Sequence, residues 1–195
     1  MWNLKNYSQA RNYFEDGLKQ NKLFIENTPL YAMLLDNLAY AKFKLKETDE
    51  VPELFYRSLK IRDSLHLTSG LIINKTHLSE YFYSKNDTTK AIQYAKQALN
   101  LSRSTKQLRS ILESLKQISI VDPKNASAYS KEYIQINDRL QKAERKMGEK
   151  FSRIEYETDV IKSKNTDLVV QNRNLFYVFS ILTLIGVFTF VFVSQ

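Results

Sequence analysis

The 195-residue chain contains no cysteine, only two histidines, four glycines and three prolines. Without cysteine there can be no disulfide, no thiolate zinc site and no thiol nucleophile. Glycine and proline together reach about a third of their usual ~12 % share. That is too few to turn the chain through a many-stranded β fold, and no glycine-rich loop is present to cradle a phosphate. His-Glu-x-x-His and Gly-x-Ser-x-Gly patterns are missing as well. His66 and His77 are too few to build a metal cage, and His77, next to Leu78, reads as a surface or groove-lining residue. The carboxylates Glu155 and Glu157 are two positions apart on a helical stretch and do not face each other. The expectation is an all-α protein with no catalytic constellation and no cofactor.

Charge of one sign is also not concentrated anywhere. The net charge is +8, from 29 basic and 21 acidic residues. From Met1 to Ile136 there are 20 basic and 14 acidic side chains, a balance of +6 spread over many segments. With no basic stripe, nucleic acid is a disfavoured partner.

One long hydrophobic run is present. Residues 175–193 read LFYVFSILTLIGVFTFVFV, with no charge and no proline. As a helix at about 1.5 Å per residue this run reaches ~28 Å, close to the thickness of a bilayer's hydrocarbon core. Tyr177 lies near one end and Arg173 just outside it, an interfacial arrangement that suits anionic headgroups. The expectation is a single membrane-spanning helix with the lipid bilayer as a partner. The basic flank Lys162, Lys164 and Arg173 places the large N-terminal part in the cytoplasm by the positive-inside rule, but only Ser194 and Gln195 follow the run for comparison. The side of the membrane therefore stays open.

The preceding segment carries a repeat. The frame Ala10, Phe14, Gly17, Leu18 recurs as Val51, Phe55, Ser58, Leu59, then as Ala91, Ala95, Ala98, Leu99, and in degenerate form as Ala128, Glu132, Gln135, Ile136. The steps are 41, 40 and 37 residues. Leu38, Leu78 and Leu115 precede Val51, Ala91 and Ala128 by one constant offset, each as the packing leucine of a preceding helix. Each repeat is thus a helix pair. Cap signals at Thr28-Pro29, Asp49, Asn86-Asp87-Thr88 and Asp122-Pro123 bound helices near 4–20, 29–46, 50–65, 69–85, 88–103, 105–120 and from 124 onward. The first copy has only its second helix, so relatives are expected to be longer at the N-terminus.

Between the repeats and the apolar run, Leu140, Met147, Ile154, Ile161, Leu168 and Leu175 recur at every seventh position. With these at d, the a positions are Glu144, Phe151, Thr158, Asn165 and Asn172. A heptad stripe of this length predicts a coiled coil, and asparagines at a favour a two-stranded, parallel homodimer. The alternative is a stripe that lies along the repeats of the same chain. The organisation expected is repeats over 1–136, a connecting coil over 137–174 and a span over 175–193.

The repeated frame resembles the tetratricopeptide family in a longer-period form, over about residues 4–140. The segment Lys150-Phe151-Ser152-Arg153-Ile154-Glu155-Tyr156-Glu157-Thr158-Asp159, followed by the asparagine-rich coil and the apolar run, is similar to the junction in bacterial membrane-anchored tetratricopeptide sensor proteins. That resemblance implies a helix-hairpin solenoid and a location in the bacterial inner membrane. It also implies a role as the non-catalytic input half of a signalling protein, with a protein or peptide as ligand. No Glu-Leu-His-Asp phosphoacceptor motif is present, so kinase activity is not carried over. The alternative is a tail-anchored adaptor that recruits partner proteins to the membrane. Such solenoids bind extended segments on the face formed by the first helix of each pair. The candidate groove residues on that face are Asp36, Tyr40, Phe43, Lys44, Thr76, Glu80, Tyr83, Glu113 and Gln117, with Met33, Ile73 and Ser110 beside them. The lysine and asparagine set by which chaperone-binding relatives clamp a C-terminal carboxylate is missing there.

Overall fold

A computed structural model describes the backbone of residues 4–20 and 22–193, and their side chains apart from those of Lys5, Val178, Phe179 and residues 181–193. Every regular element among the described residues is an α-helix: α1 (Leu4–Leu18), α2 (Leu23–Glu26), α3 (Thr28–Lys44), α4 (Val51–Ser64), α5 (Thr68–Ser84), α6 (Thr88–Thr105), α7 (Leu108–Val121) and α8 (Ala126–Val193). The chain divides into two compact units, residues 1–140 and 141–195.

In the first unit α3 packs on α4, α4 on α5, α5 on α6 and α6 on α7, α3 also touches α5 and α5 touches α7, while α1 and α2 rest on α3. The core runs through these pairs as one cluster that includes Leu38, Val51, Phe55, Leu78, Ala91, Ala95, Leu99 and Leu115. All three of the leucines set ahead of a repeat copy are thus buried. Alanines at the contact face of α6 let α5 approach closely, and Ser79 Oγ donates to the Ala91 carbonyl at 2.9 Å across that contact. Ser58 of α4 does the same to the Ala32 carbonyl of α3 at 2.7 Å. These hydroxyls reach the neighbouring backbone without carrying bulk between the helices.

The degenerate fourth copy packs in a shifted frame. Ala128 and Gln135 are exposed, whereas Tyr129, Tyr133 and Ile136 lie against the core. A helix that begins at Ala126 rather than 124 turns its aromatic stripe inward, because that stripe offers more apolar area than an alanine. Three caps also differ from expectation. The cap position of α4 is Glu50, at a left-handed φ of 62° and with no side-chain cap bond, rather than Asp49. The α3 cap is Asn27, whose side chain accepts from the Leu30 N–H at 3.1 Å. Thr28 takes the first helical position and donates to the Phe24 carbonyl. Asp122 closes α7 instead of opening α8, and its carboxylate accepts from Asn125 and Tyr129. Asp87 caps α6 through the Lys90 N–H as expected.

The turns share one backbone device that the composition hides. Lys46, His66, Asn86 and Lys106 all adopt left-handed φ, at 63°, 52°, 61° and 57°. They are evenly spaced, at half the repeat step. At the first three, the next residue's N–H bonds back to a carbonyl five positions earlier (Glu47 to Lys42, Leu67 to Arg62, Asp87 to Phe82), and the left-handed residue's own N–H bonds to the carbonyl three positions before it. This is the Schellman helix stop, usually built on glycine, here made three times without one.

In the second unit α8 continues as one helix to Val193. Among the described residues no helix is long and apolar enough to cross a membrane. The span expected at 175–193 lies, from residue 178 on and except for Ser180, outside the residues whose side chains are described.

Candidate functional site

In the first unit a groove of about 570 Å³ opens across the first helices of successive pairs. The end of α3 contributes Phe43 and Lys44, α5 contributes Ile72, Ile73, Thr76, His77, Glu80 and Tyr83, and α7 contributes Glu113, Lys116, Gln117 and Ile120. Seven of the nine residues singled out from the sequence meet here: Phe43, Lys44, Thr76, Glu80, Tyr83, Glu113 and Gln117. Ile73, Tyr83 and Ile120 each keep nearly half their surface in water, at 46 %, 45 % and 48 %. A cluster of partly wet apolar side chains around a concavity is what an apolar ligand segment can cover.

The charges of the groove are of two kinds. Lys44 Nζ donates to Glu80 Oε2 at 2.7 Å, and the Tyr40 hydroxyl donates to the same oxygen at 3.0 Å. Burial, and then the Glu80 charge, pushes the Tyr40 phenol up to about 12, so it remains a donor. Burial pulls Lys44 downward, but hydrogen bonds to Glu80 and Tyr40 and the Glu80 charge outweigh it, and its ammonium is held above the usual range. The Lys44 ammonium also stands over the rings of Tyr40 and Phe43, at 4.8 and 5.0 Å from their centroids. Glu113 and Lys116 are different: both are exposed, and no ion pair engages either one among the described residues. Their charges are available to something that enters the groove.

Two of the nine candidates lie elsewhere. Tyr40 turns toward a second concavity of about 410 Å³, between α1 and α3, with Tyr7, Phe14 and Asn37. Asp36 is wholly buried and does not line the groove. Its Oδ2 accepts from Arg62 Nη1 at 3.0 Å, and its Oδ1 accepts from Asn74 Nδ2 at 2.8 Å. Arg62 also donates to the Gly70 carbonyl, and Asn74 to the Phe55 carbonyl. This ties α3, α4 and α5 together at one buried charge. Helical spacing puts position 36 near the groove face, but Arg62, from the far end of the next helix, draws it into the core.

His77 lies between the two systems. Its Nδ1 is 3.2 Å from Asp36 Oδ2, its ring stacks on Tyr40 at 4.0 Å between centroids, and it borders the groove. Lys116, Ile72 and Ile120 join the groove although they were not among the nine. The signal for Lys116 and Ile120 was present in the steps of three from Glu113 and Gln117 along α7. Gln117 is mostly buried and donates to Ser79 Oγ at 3.0 Å, which anchors the groove floor to the α5–α6 contact.

The seam residues of α8 are placed on its surface. Met147, Phe151, Ile154, Ile161, Asn165 and Leu168 are exposed, and Leu140 is half-buried. No group of three or more His, Asp or Glu residues that could hold a metal ion occurs among the described residues. No protein-family model, curated protein or solved structure matches the chain.

Proposed function

We propose that the first unit is a tetratricopeptide-like solenoid that binds an extended protein or peptide segment in the groove across α3, α5 and α7. In this reading it is the non-catalytic input part of a bacterial signalling protein held in the inner membrane by residues 175–193. The repeat reading is supported by the recurring helix pairs, the evenly spaced left-handed stops and the contacts α3–α5 and α5–α7. The membrane part rests on the charge-free run of the sequence. The observation that carries the binding function is the groove itself, whose apolar flanks are wet and whose Glu113 and Lys116 have no ion-pair partner among the described residues.

The ligand is a segment with an apolar residue for the Ile73, Tyr83 and Ile120 flank and a basic residue for Glu113. A displayed library of random peptides panned on the detergent-solubilised chain should enrich such sequences. Ile73→Lys should abolish the enrichment, and Glu113→Lys should turn the preference from basic to acidic residues. Enrichment that ignores both substitutions would remove the groove from the reading.

The basic flank of the apolar run favours a second reading, in which the first unit faces the cytoplasm as an anchored adaptor. A reporter enzyme that works only in the cytoplasm, fused after Gln195, separates the two. It is active if the first unit lies outside and silent if the first unit lies inside.

A further inference from the structure

Within the second unit, α8 presents an apolar stripe that no other described residue of that unit covers. Met147, Phe151, Ile161 and Leu168 expose 60 %, 67 %, 60 % and 55 % of their surface, all on one face of α8. An isolated helix with such a stripe leaves its apolar face in water. The heptad assignment also defines the residues that flank the stripe. With d at Leu140, Met147, Ile154, Ile161 and Leu168, the e positions include Gly148, Glu155, Lys162 and Val169, and the g positions include Ala143, Lys150, Glu157 and Lys164.

In a parallel two-stranded coil each g residue faces the e residue five positions later on the other helix. A second copy in register therefore sets Lys150 against Glu155 and Glu157 against Lys162, once on each side of the seam, which makes four attractive pairs. A slip by one heptad sets Lys150 against Lys162 on one side and Glu157 against Glu155 and Lys164 against Lys162 on the other, all repulsive. Asn165 and Asn172, at a positions, meet their own counterparts only in register, where the two amides can bond each other. An antiparallel coil sets g against g. Centred on Glu157, it opposes glutamate to glutamate and Lys150 to Lys164. Centred so that Lys150 meets Glu157, it sets Asn165 against Leu140. Centred so that Glu157 meets Lys164, it pairs Glu155 with Lys162 as well, but sets Asn165 against Ile154 and Asn172 against Met147. Only the parallel, in-register second copy satisfies the charges and the asparagine layers together.

We propose that the exposed face of α8 from Leu140 to Leu175 docks against a second copy of this chain as a parallel, in-register coiled coil, with the register set by Lys150–Glu155 and Glu157–Lys162 pairs between copies. Within one copy Arg153 already pairs with Glu157 at 2.9 Å. That exposed pair is weak and leaves Glu157 free to be shared. The proposal does not depend on what enters the groove of the first unit.

The cysteine-free chain makes the test direct. The full chain in detergent micelles, with Asn165→Cys, is oxidised in air with a copper catalyst and the covalent dimer is followed with time. Two further versions add either Lys150→Glu with Glu157→Lys, or Glu155→Lys with Lys162→Glu. Each of these alone turns all four pairs repulsive and should cross-link about tenfold more slowly or worse, a deficit that shrinks at high salt. An equimolar mixture of the two, carrying different tags, restores four attractive pairs and should form the mixed dimer at the original rate. Equal rates for the separate reversed versions and the original would overturn the register, since the pairs said to set it would then carry no weight. Equal rates for Ser163→Cys, on the outer face, and Asn165→Cys would overturn the seam. Helical circular dichroism of each version shows that α8 remains folded. Peptide enrichment on the same versions reads the groove separately.

Discussion

Asp36 shows how a single residue's role depends on its partners. A carboxylate with 0 % exposure is tolerable only because Arg62 and Asn74 saturate it. Truncation to alanine would leave the Arg62 guanidinium buried without its counter-charge, and about 3–5 kcal/mol of stability is expected to go. Because apolar replacement of both partners removes the uncompensated charge, Asp36→Leu with Arg62→Met should recover most of that loss. Thermal unfolding of the three chains followed by circular dichroism measures it. A double variant as unstable as Asp36→Ala would mean that the network itself, and not its charge balance, holds α3, α4 and α5. The arginine also passes close to the backbone of α5: a methyl group added at Gly70 would meet the Arg62 Cδ and Nε at 3.0 Å. The small residue keeps the path of the guanidinium open. Gly17 serves the α1–α3 contact in the same manner, where an added methyl would meet Leu34 at 2.9 Å.

At the scale of the element, helix positions followed from local signals and the stops did not. Apolar periodicity and side-chain caps place α3 to α7 within a few residues of where they lie, since both act over one or two turns. The short α2 carries too few residues for any period. The left-handed stops at Lys46, His66 and Lys106 were invisible because residue type announces them only when glycine or asparagine is used. Each non-glycine residue there bears a penalty of roughly 1–2 kcal/mol, offset in part by the lower entropy of its unfolded chain. His66→Gly should therefore stabilise the first unit by about 0.5–1 kcal/mol, read as a higher unfolding midpoint. A lower midpoint would show that the imidazole makes a compensating contact. Four such stops at equal spacing also give the turns a regularity that the glycine count conceals.

At the scale of the whole molecule, the sequence divides into an amphipathic, repeated part and a charge-free end. The membrane reading concerns that end and is tested on the intact chain. Mixed with vesicles of neutral phosphatidylcholine, the chain is expected to float with the lipid and to resist extraction at alkaline pH, as a spanning helix would. Recovery in the soluble fraction without detergent would remove the anchor from the proposed function and leave the groove untouched. Neutral lipid is chosen so that the +8 net charge cannot produce the result by headgroup attraction alone.

Composition and period by themselves determined an all-helical chain, the recurring helix pairs and the packing leucines at 38, 78 and 115. These properties come from neighbours one turn or one repeat away, and such neighbours are written in order along the chain. The same reasoning located seven groove residues, because i, i+3 and i+4 steps define a helix face before its partner is known. Only the tertiary structure decided which of those faces opens as a groove and which closes as core. It sent Asp36 inward to Arg62, turned Tyr40 toward α1, brought His77 and Lys116 to the rim and shifted the α8 packing face onto Tyr129 and Tyr133. Each of these outcomes was set by a competition among distant side chains for one buried charge or one apolar surface, and no local pattern encodes the winner.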